Sequence, residues 1–183
     1  MTDQERAVMS VMNFLRDDNK RILLVKGYDD DAKLRVALSC LEKVYDKGII
    51  RTSSMSDESF HINFAFNKNL LPNIVTSTNN YKIGKMVVSI SSYKTHTQSN
   101  PSGNQDTFTL FHPVQTVLDD SKEYKKFLNE LGNTYSNKIL LVTTNEHTIK
   151  NWNIVNYVDE VFFYSVENDN PEIMKNLRIN GEI

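Results

Sequence analysis

The 183 residues suffice for one domain with a sizeable core, and 39% hydrophobic with 24% charged residues is an ordinary globular balance. A formal net charge of -2, with no Lys/Arg-rich run, disfavours attraction to nucleic acid or anionic lipid by bulk charge. The lone cysteine, Cys40, rules out an intrachain disulfide and is expected as a buried core thiol. The start, MTDQERAVMS, is too charged for a signal peptide, and no run approaches the ~20 apolar residues that span a bilayer, so a cytoplasmic protein with no membrane partner is expected.

A first helix is predicted over 4–16, where Val8, Val11, Met12 and Leu15 recur at three- and four-residue steps behind the capping residues Thr2 and Asp3. After DDNK comes RILLV, an uninterrupted apolar run of the kind found in a strand buried on both faces. A second helix is predicted over 32–45 with Leu34, Ala37, Leu38, Leu41 and Val44 as its buried stripe. The aspartates at 29–31 favour its start through the helix dipole, and Gly48 is expected to stop it. FHINFAF (60–66) alternates residue by residue and predicts a strand with one wet face; KMVVSISSY (85–93) predicts another, with irregular chain or a short helix between. KTHTQSNPSGNQD (94–106) predicts a polar, exposed, mobile loop.

The second half repeats the rhythm. TFTLFHP (107–113) predicts a strand. Tyr124, Phe127, Leu128 and Leu131 mark a helix with Ser121 as its cap. KILLVTTN (138–145) and VDEVFFYSV (158–166) predict two more strands, and the tail is expected to end on a short helix carrying Ile173, Met174 and Leu177. Short apolar strands alternating with helices imply an α/β fold: a single three-layer domain over 1–183, its mainly parallel sheet covered by helices on both faces.

Ligands of open α/β sheets bind beyond the carboxyl ends of the strands. The polar stretches GYDDDAK (27–33), HPVQ (112–115) and TTNEH (143–147) are all predicted there. The first of them, together with the element pattern over most of the chain, resembles the P-loop NTPase superfamily, especially its RecA-like and AAA-like members. A leading helix with Gln4 precedes the strand, as in many helicase-like ATPases. Gly27 and Lys33 match the first glycine and the lysine of G-x-x-x-x-G-K-[ST], while Ala32 replaces the second glycine and Leu34 the hydroxyl residue. The resemblance makes TFTLFHP the Walker B strand, with His112 and Pro113 where an acidic pair belongs. It makes LLVTTNE the sensor strand, with Thr144 or Asn145 facing a γ-phosphate.

Those departures bear on chemistry. Glycines let successive N–H groups turn inward on a phosphate, and the Ser/Thr hydroxyl binds Mg²⁺, which Leu34 cannot do. Three aspartates beside the turn would repel a triphosphate by roughly 1 kcal/mol or more per close charge pair. Lys33 is expected to pair with one of them. The reading is a degenerate P-loop-like domain, non-hydrolytic and without a cofactor, acting as an accessory or scaffold subunit on a protein partner such as an ATPase or nuclease. Nucleic acid would be reached only indirectly. The alternatives are an enzyme, either an unconventional NTPase using nucleotide with Mg²⁺ or a metal-dependent hydrolase, and a nucleic-acid-binding module. For the enzyme, Asp29, Asp31, His112 and Thr144 are the candidate catalytic residues; Gly27, Lys33 and Asn145 are the candidate cofactor residues.

His112 and His147 both follow predicted strands and with the aspartates at 29–31 could bind a divalent metal or assist hydrolysis, but no His-x-x-x-His or Glu-x-x-His spacing is read in support. His61, His96, His112 and His147 are expected as ordinary surface histidines, and no metal set is assigned. A nuclease set from Asp106, Glu130 and Lys138 matches no motif, and a receiver-domain reading lacks the aspartate at the end of its third strand. Tyr93, Phe108 and Phe111, with the loop bearing His96, are candidates for a binding edge; Trp152 is a further interaction candidate.

Overall fold

In the computed structural model, residues 1–95, 99–150 and 153–183 are described. The interaction candidates His96 and Trp152 lie outside the described residues. Helix α1 (Asp3–Arg16) opens on a capping box in which the Thr2 hydroxyl accepts from Glu5 N–H and the Glu5 carboxylate returns to Thr2 N–H. There follow β1 (Ile22–Gly27), α2 (Asp30–Val44), β2 (Lys47–Thr52), α3 (Met55–Phe66), β3 (Asn80–Ile83), β4 (Met86–Ser92) and β5 (Phe108–Phe111). The chain continues through α4 (Gln115–Asp119), α5 (Ser121–Gly132), β6 (Lys138–Val142), β7 (Glu160–Tyr164) and α6 (Pro171–Ile179), with 3-10 turns at Glu146–Thr148 and Asn153–Tyr157.

The sheet has seven strands in the order β3-β4-β2-β5-β6-β1-β7, and every pair is parallel except β3 with β4. Alternate residues of each strand feed opposite cores, as the period of two requires. Leu23, Val25, Leu140 and Val142 pack with α1, α2 and α3, whereas Leu24, Ile139 and Leu141 pack with α4 and α5. The result is the expected three-layer α/β architecture. No helix among the described residues is long and apolar enough to cross a membrane. Cys40 is buried, and desolvation pushes its thiol up to about 11.

Several local expectations are corrected. Residues 60–66 belong to helix α3, not to a strand. Ser59, Ile62 and Ala65 are buried at three-residue steps, while Phe60 and Phe64 point outward, 65% and 62% exposed, and stack on each other at 5.6 Å. Apolar residues on both sides of the helix produced the alternation that mimics a strand. Gly48 does not stop α2; it lies in β2, where a Cβ would fall 2.1 Å from the Phe108 ring. Helix α5 is capped by Asp120, not Ser121: its carboxylate takes the N–H groups of Lys122 and Glu123, which hold it below the usual carboxylate range, Glu123 most. The tail of the supposedly irregular stretch, 80–83, pairs as β3. In the loop predicted over 94–106, Tyr135 N–H donates to Ser102 O at 2.6 Å and Gly103 packs on Ser136.

Candidate functional site

The carboxyl ends of β1, β2, β5 and β6 open on a cleft of about 590 Å³. Its walls include Asp30 and Asp31 from the first polar stretch, His112 and Gln115 from the second, and Thr144 and Asn145 from the third. The structure therefore brings the three stretches together. A fourth wall was not anticipated: Ser53, Ser54 and Asp57, with Phe60, His61 and Phe64 of α3.

At the Gly27 end, the strand passes into the helix with almost no loop. Strand β1 ends at Gly27, Asp29 is the N-cap, and α2 begins at Asp30. Of the residues aligned with the four variable positions of a P-loop, only Tyr28 and Asp29 lie outside the helix. Asp29 Oδ1 accepts from Ala32 N–H at 2.9 Å, so a carboxylate already sits at the helix N-terminus. Gly27 has φ 141°, and a Cβ there would fall 2.5 Å from the carbonyl oxygen of Tyr164 in β7. Its glycine is thus required by sheet packing as well as by backbone conformation.

Lys33 is fully buried beneath this turn. Its ammonium donates to Gly27 O and to Thr143 Oγ1 at 3.2 Å, and lies 2.9 Å from Asp30 Oδ1. Two of its N–H donors thus meet acceptors from the chain itself, and Asp30 balances its charge as an ion pair. Burial lowers the Lys33 pKa from its ordinary value; Asp30, then Glu146 and Asp29, act in the opposite direction. Thr143 in turn donates to Glu146 Oε2 at 2.6 Å, and Glu146 Oε1 meets Lys26 at 3.1 Å. The threonine that touches Lys33 is Thr143, whereas the candidate Thr144 is half-buried on the cleft wall. Asn145 is left-handed, φ 46°, and its N–H donates to Asp30 Oδ2 at 3.3 Å. Asp31 faces the cleft, and burial, then Asp29 and Asp30, holds its carboxyl above the usual range.

At the other end, Glu58 is fully buried and His112 is 1% exposed. His112 Nδ1 lies 3.1 Å from both Glu58 oxygens, and Thr52 Oγ1 donates to Glu58 Oε2 at 3.0 Å. His61 stands edge-on to His112, ring centroids 5.7 Å apart at 89°, and His61 Nδ1 is buried with no hydrogen-bond partner among the described residues. One side-chain ligand atom from each of Glu58, His61 and His112 falls within 4.8 Å of the others. His112 is therefore not a surface histidine. The signal available in the sequence was Glu58-x-x-His61, which on a helix puts both side chains on one face; reading 60–66 as a strand concealed it.

Other candidates disperse. Tyr93 is 3% exposed and packs against Phe111 and Phe127, its hydroxyl donates to Pro113 O, and burial pushes its pKa up to about 12. Phe108 and Phe111 are wholly buried too, so this aromatic group forms core and offers no binding edge. His147 is exposed, 3.8 Å from Glu182, and does not join His112 on the cleft wall. Of the nuclease set, Glu130 pairs with Arg51 at 3.0 Å, and Lys138 donates to Asp17 O at 2.6 Å from the amino end of β6, away from the cleft. Gln4 lies outside the cleft, in a hollow shared with Asp29 and Arg35.

No protein-family model matches the chain. No curated protein matches it in sequence. Among solved structures, the chain is similar to the large terminase of a thermophilic bacteriophage in complex with ADP, with a TM-score of 0.52 and 5% sequence identity. The match covers 94% of this chain and 49% of that one, so the chain spans about half the terminase's length. At this identity the likeness shows the fold alone: a mainly parallel α/β sheet with helices on both faces.

Proposed function

We propose that this chain is a degenerate, non-hydrolytic P-loop-like domain that serves as an accessory or scaffold subunit by binding another protein. The observation that carries the reading is the engagement of Lys33: its ammonium is buried and held by Gly27, Thr143 and Asp30. A phosphate would have to displace those partners and face the carboxylates of Asp29, Asp30 and Asp31 at the same helix end. Ala32 and Leu34 add no phosphate-cradling backbone freedom and no Mg²⁺ ligand. No carboxylate occupies the two positions after β5, which are His112 and Pro113. Support for a protein partner comes from the stacked, exposed Phe60 and Phe64 at the cleft rim, since contiguous exposed aromatics suit interfaces better than solvent.

The test pairs two assays on the full chain. Hydrolysis of ATP and GTP with Mg²⁺ is expected to stay at background. A stoichiometric partner is expected to co-purify from the native source and to be lost from a Phe60→Asp, Phe64→Asp variant that still folds. Turnover abolished by Lys33→Ala would overturn the non-hydrolytic reading. Retention of the partner by the double variant would overturn the assignment of this surface.

One observation favours a second reading. The Glu58–His112 pair sits under a cleft of enzyme-like size, which suits an enzyme at the strand ends working without the Gly27 turn. Metal-dependent hydrolysis lost in His61→Ala would favour it.

A further inference from the structure

We propose that Glu58, His61 and His112 form a binding site for a divalent first-row transition metal, with Zn²⁺ as the reference ion. The inference is independent of whether the Gly27 turn takes a nucleotide. Two neighbouring elements build the site. Helix α3 supplies Glu58 and His61 three residues apart on one face, and the end of β5 supplies His112, whose N–H is fixed to Arg51 O at 2.9 Å.

The donor set selects the ion. Two imidazoles and one carboxylate match catalytic zinc and facial-triad sites, whereas Mg²⁺ and Ca²⁺ prefer all-oxygen shells. Zn–N and Zn–O bonds of about 2.0–2.1 Å at tetrahedral angles put neighbouring ligand atoms about 3.3 Å apart. His112 Nδ1 and Glu58 already stand at 3.1 Å, so a cation takes the place of the proton they share with little movement. The remaining closure falls to His61, the half-buried member, within the 4.8 Å envelope of the three groups. Its partnerless buried Nδ1 has no other task among the described residues.

Charge and support agree with this assignment. A wholly buried carboxylate is costly without a cation, and Glu58 has only Thr52 and His112 as hydrogen-bond partners among the described residues. Thr52, itself fully buried on β2, orients Glu58 through its hydroxyl, the kind of outer contact that holds a metal ligand in place. Both histidines line the cleft, so a coordination position is left facing it for water or an oxygen ligand.

Calorimetric titration of the full chain with Zn²⁺, and visible absorption with Co²⁺, test the proposal. The expected result is a single saturable ion per chain with the spectrum of a four- or five-coordinate nitrogen–oxygen site. His61→Ala leaves the buried Glu58–His112 pair intact, so it is expected to keep the wild-type melting curve without metal while weakening Zn²⁺ binding by about a hundredfold or more. Thr52→Val is expected to weaken it by about tenfold without changing stoichiometry. Absence of saturable binding to the wild type overturns the site. So does equal binding by wild type and His61→Ala, which would place the ion elsewhere.

Discussion

The cleft has two ends built from the same sheet edge but with opposite electrostatic outcomes. At the Gly27 end, Lys33 donates to Gly27 and Thr143 and pairs ionically with Asp30, and Asp29 fills the helix N-terminus. At the Glu58 end, a buried carboxylate and two imidazoles converge, and one buried nitrogen has no partner among the described residues. The comparison teaches that resemblance of fold and readiness for a ligand are separate properties. The end that looks like a nucleotide loop has its ammonium engaged by the chain itself; the end built from Glu58, His61 and His112 retains ligand capacity.

The sharpest way to break the closed end is Gly27→Ala. The positive φ and the 2.5 Å approach to Tyr164 O should cost about 3 kcal/mol or more in urea unfolding, and a loss below ~1 kcal/mol would refute the packing argument. Lys33→Met keeps most of the volume but leaves Gly27 O and Thr143 without their donor. We expect a loss of roughly 2 kcal/mol, read from the same denaturation curves. A neutral result would mean that the ammonium is not structurally engaged.

A smaller effect sharpens the electrostatics of the same turn. The native state holds the Asp31 carboxyl above its ordinary range, so its proton binds more tightly in the folded than in the unfolded chain. That contribution is complete below the unfolded pKa and is lost as pH rises through the folded pKa, leaving a penalty at neutral pH. Asp31→Asn should therefore stabilise the protein at pH 7, by less than ~1 kcal/mol once solvent screening is allowed for, and its advantage should vanish in acid. The opposite sign in a pair of pH-resolved melts would contradict the burial and repulsion assigned to it. Smallest of all, Phe60→Ser should change stability by no more than about 0.5 kcal/mol, because the ring packs mainly on Phe64 and not on the core.

What could be read from the sequence follows from the range of the interactions involved. Buried strands such as RILLV and KILLV announce themselves through local apolar runs, and the helices α1, α2 and α5 through three- and four-residue spacing. Strand β2 escaped notice because its buried length includes Arg51 and Thr52, which pair with Glu130 and Glu58 from other elements. Helix α3 was hidden by Phe60 and Phe64 on its outer side. The convergence of three polar stretches on one cleft was legible because topology dictates it. The burial of His112 was not, since its partner Glu58 stands 54 residues earlier. A correct helix assignment over 55–66 would have exposed the Glu58-x-x-His61 spacing and half of the cluster with it.

The most direct measurement of the central claim, that the Gly27–Lys33 turn is closed to phosphate, is a thermal melt of the full chain with and without ATP, ADP and GTP in Mg²⁺, with Lys33→Ala alongside. The account predicts shifts below about 1 °C at millimolar nucleotide, since a ligand that does not bind the native state adds no stability. A rise of several degrees that disappears in Lys33→Ala would contradict it and make the turn a working nucleotide site.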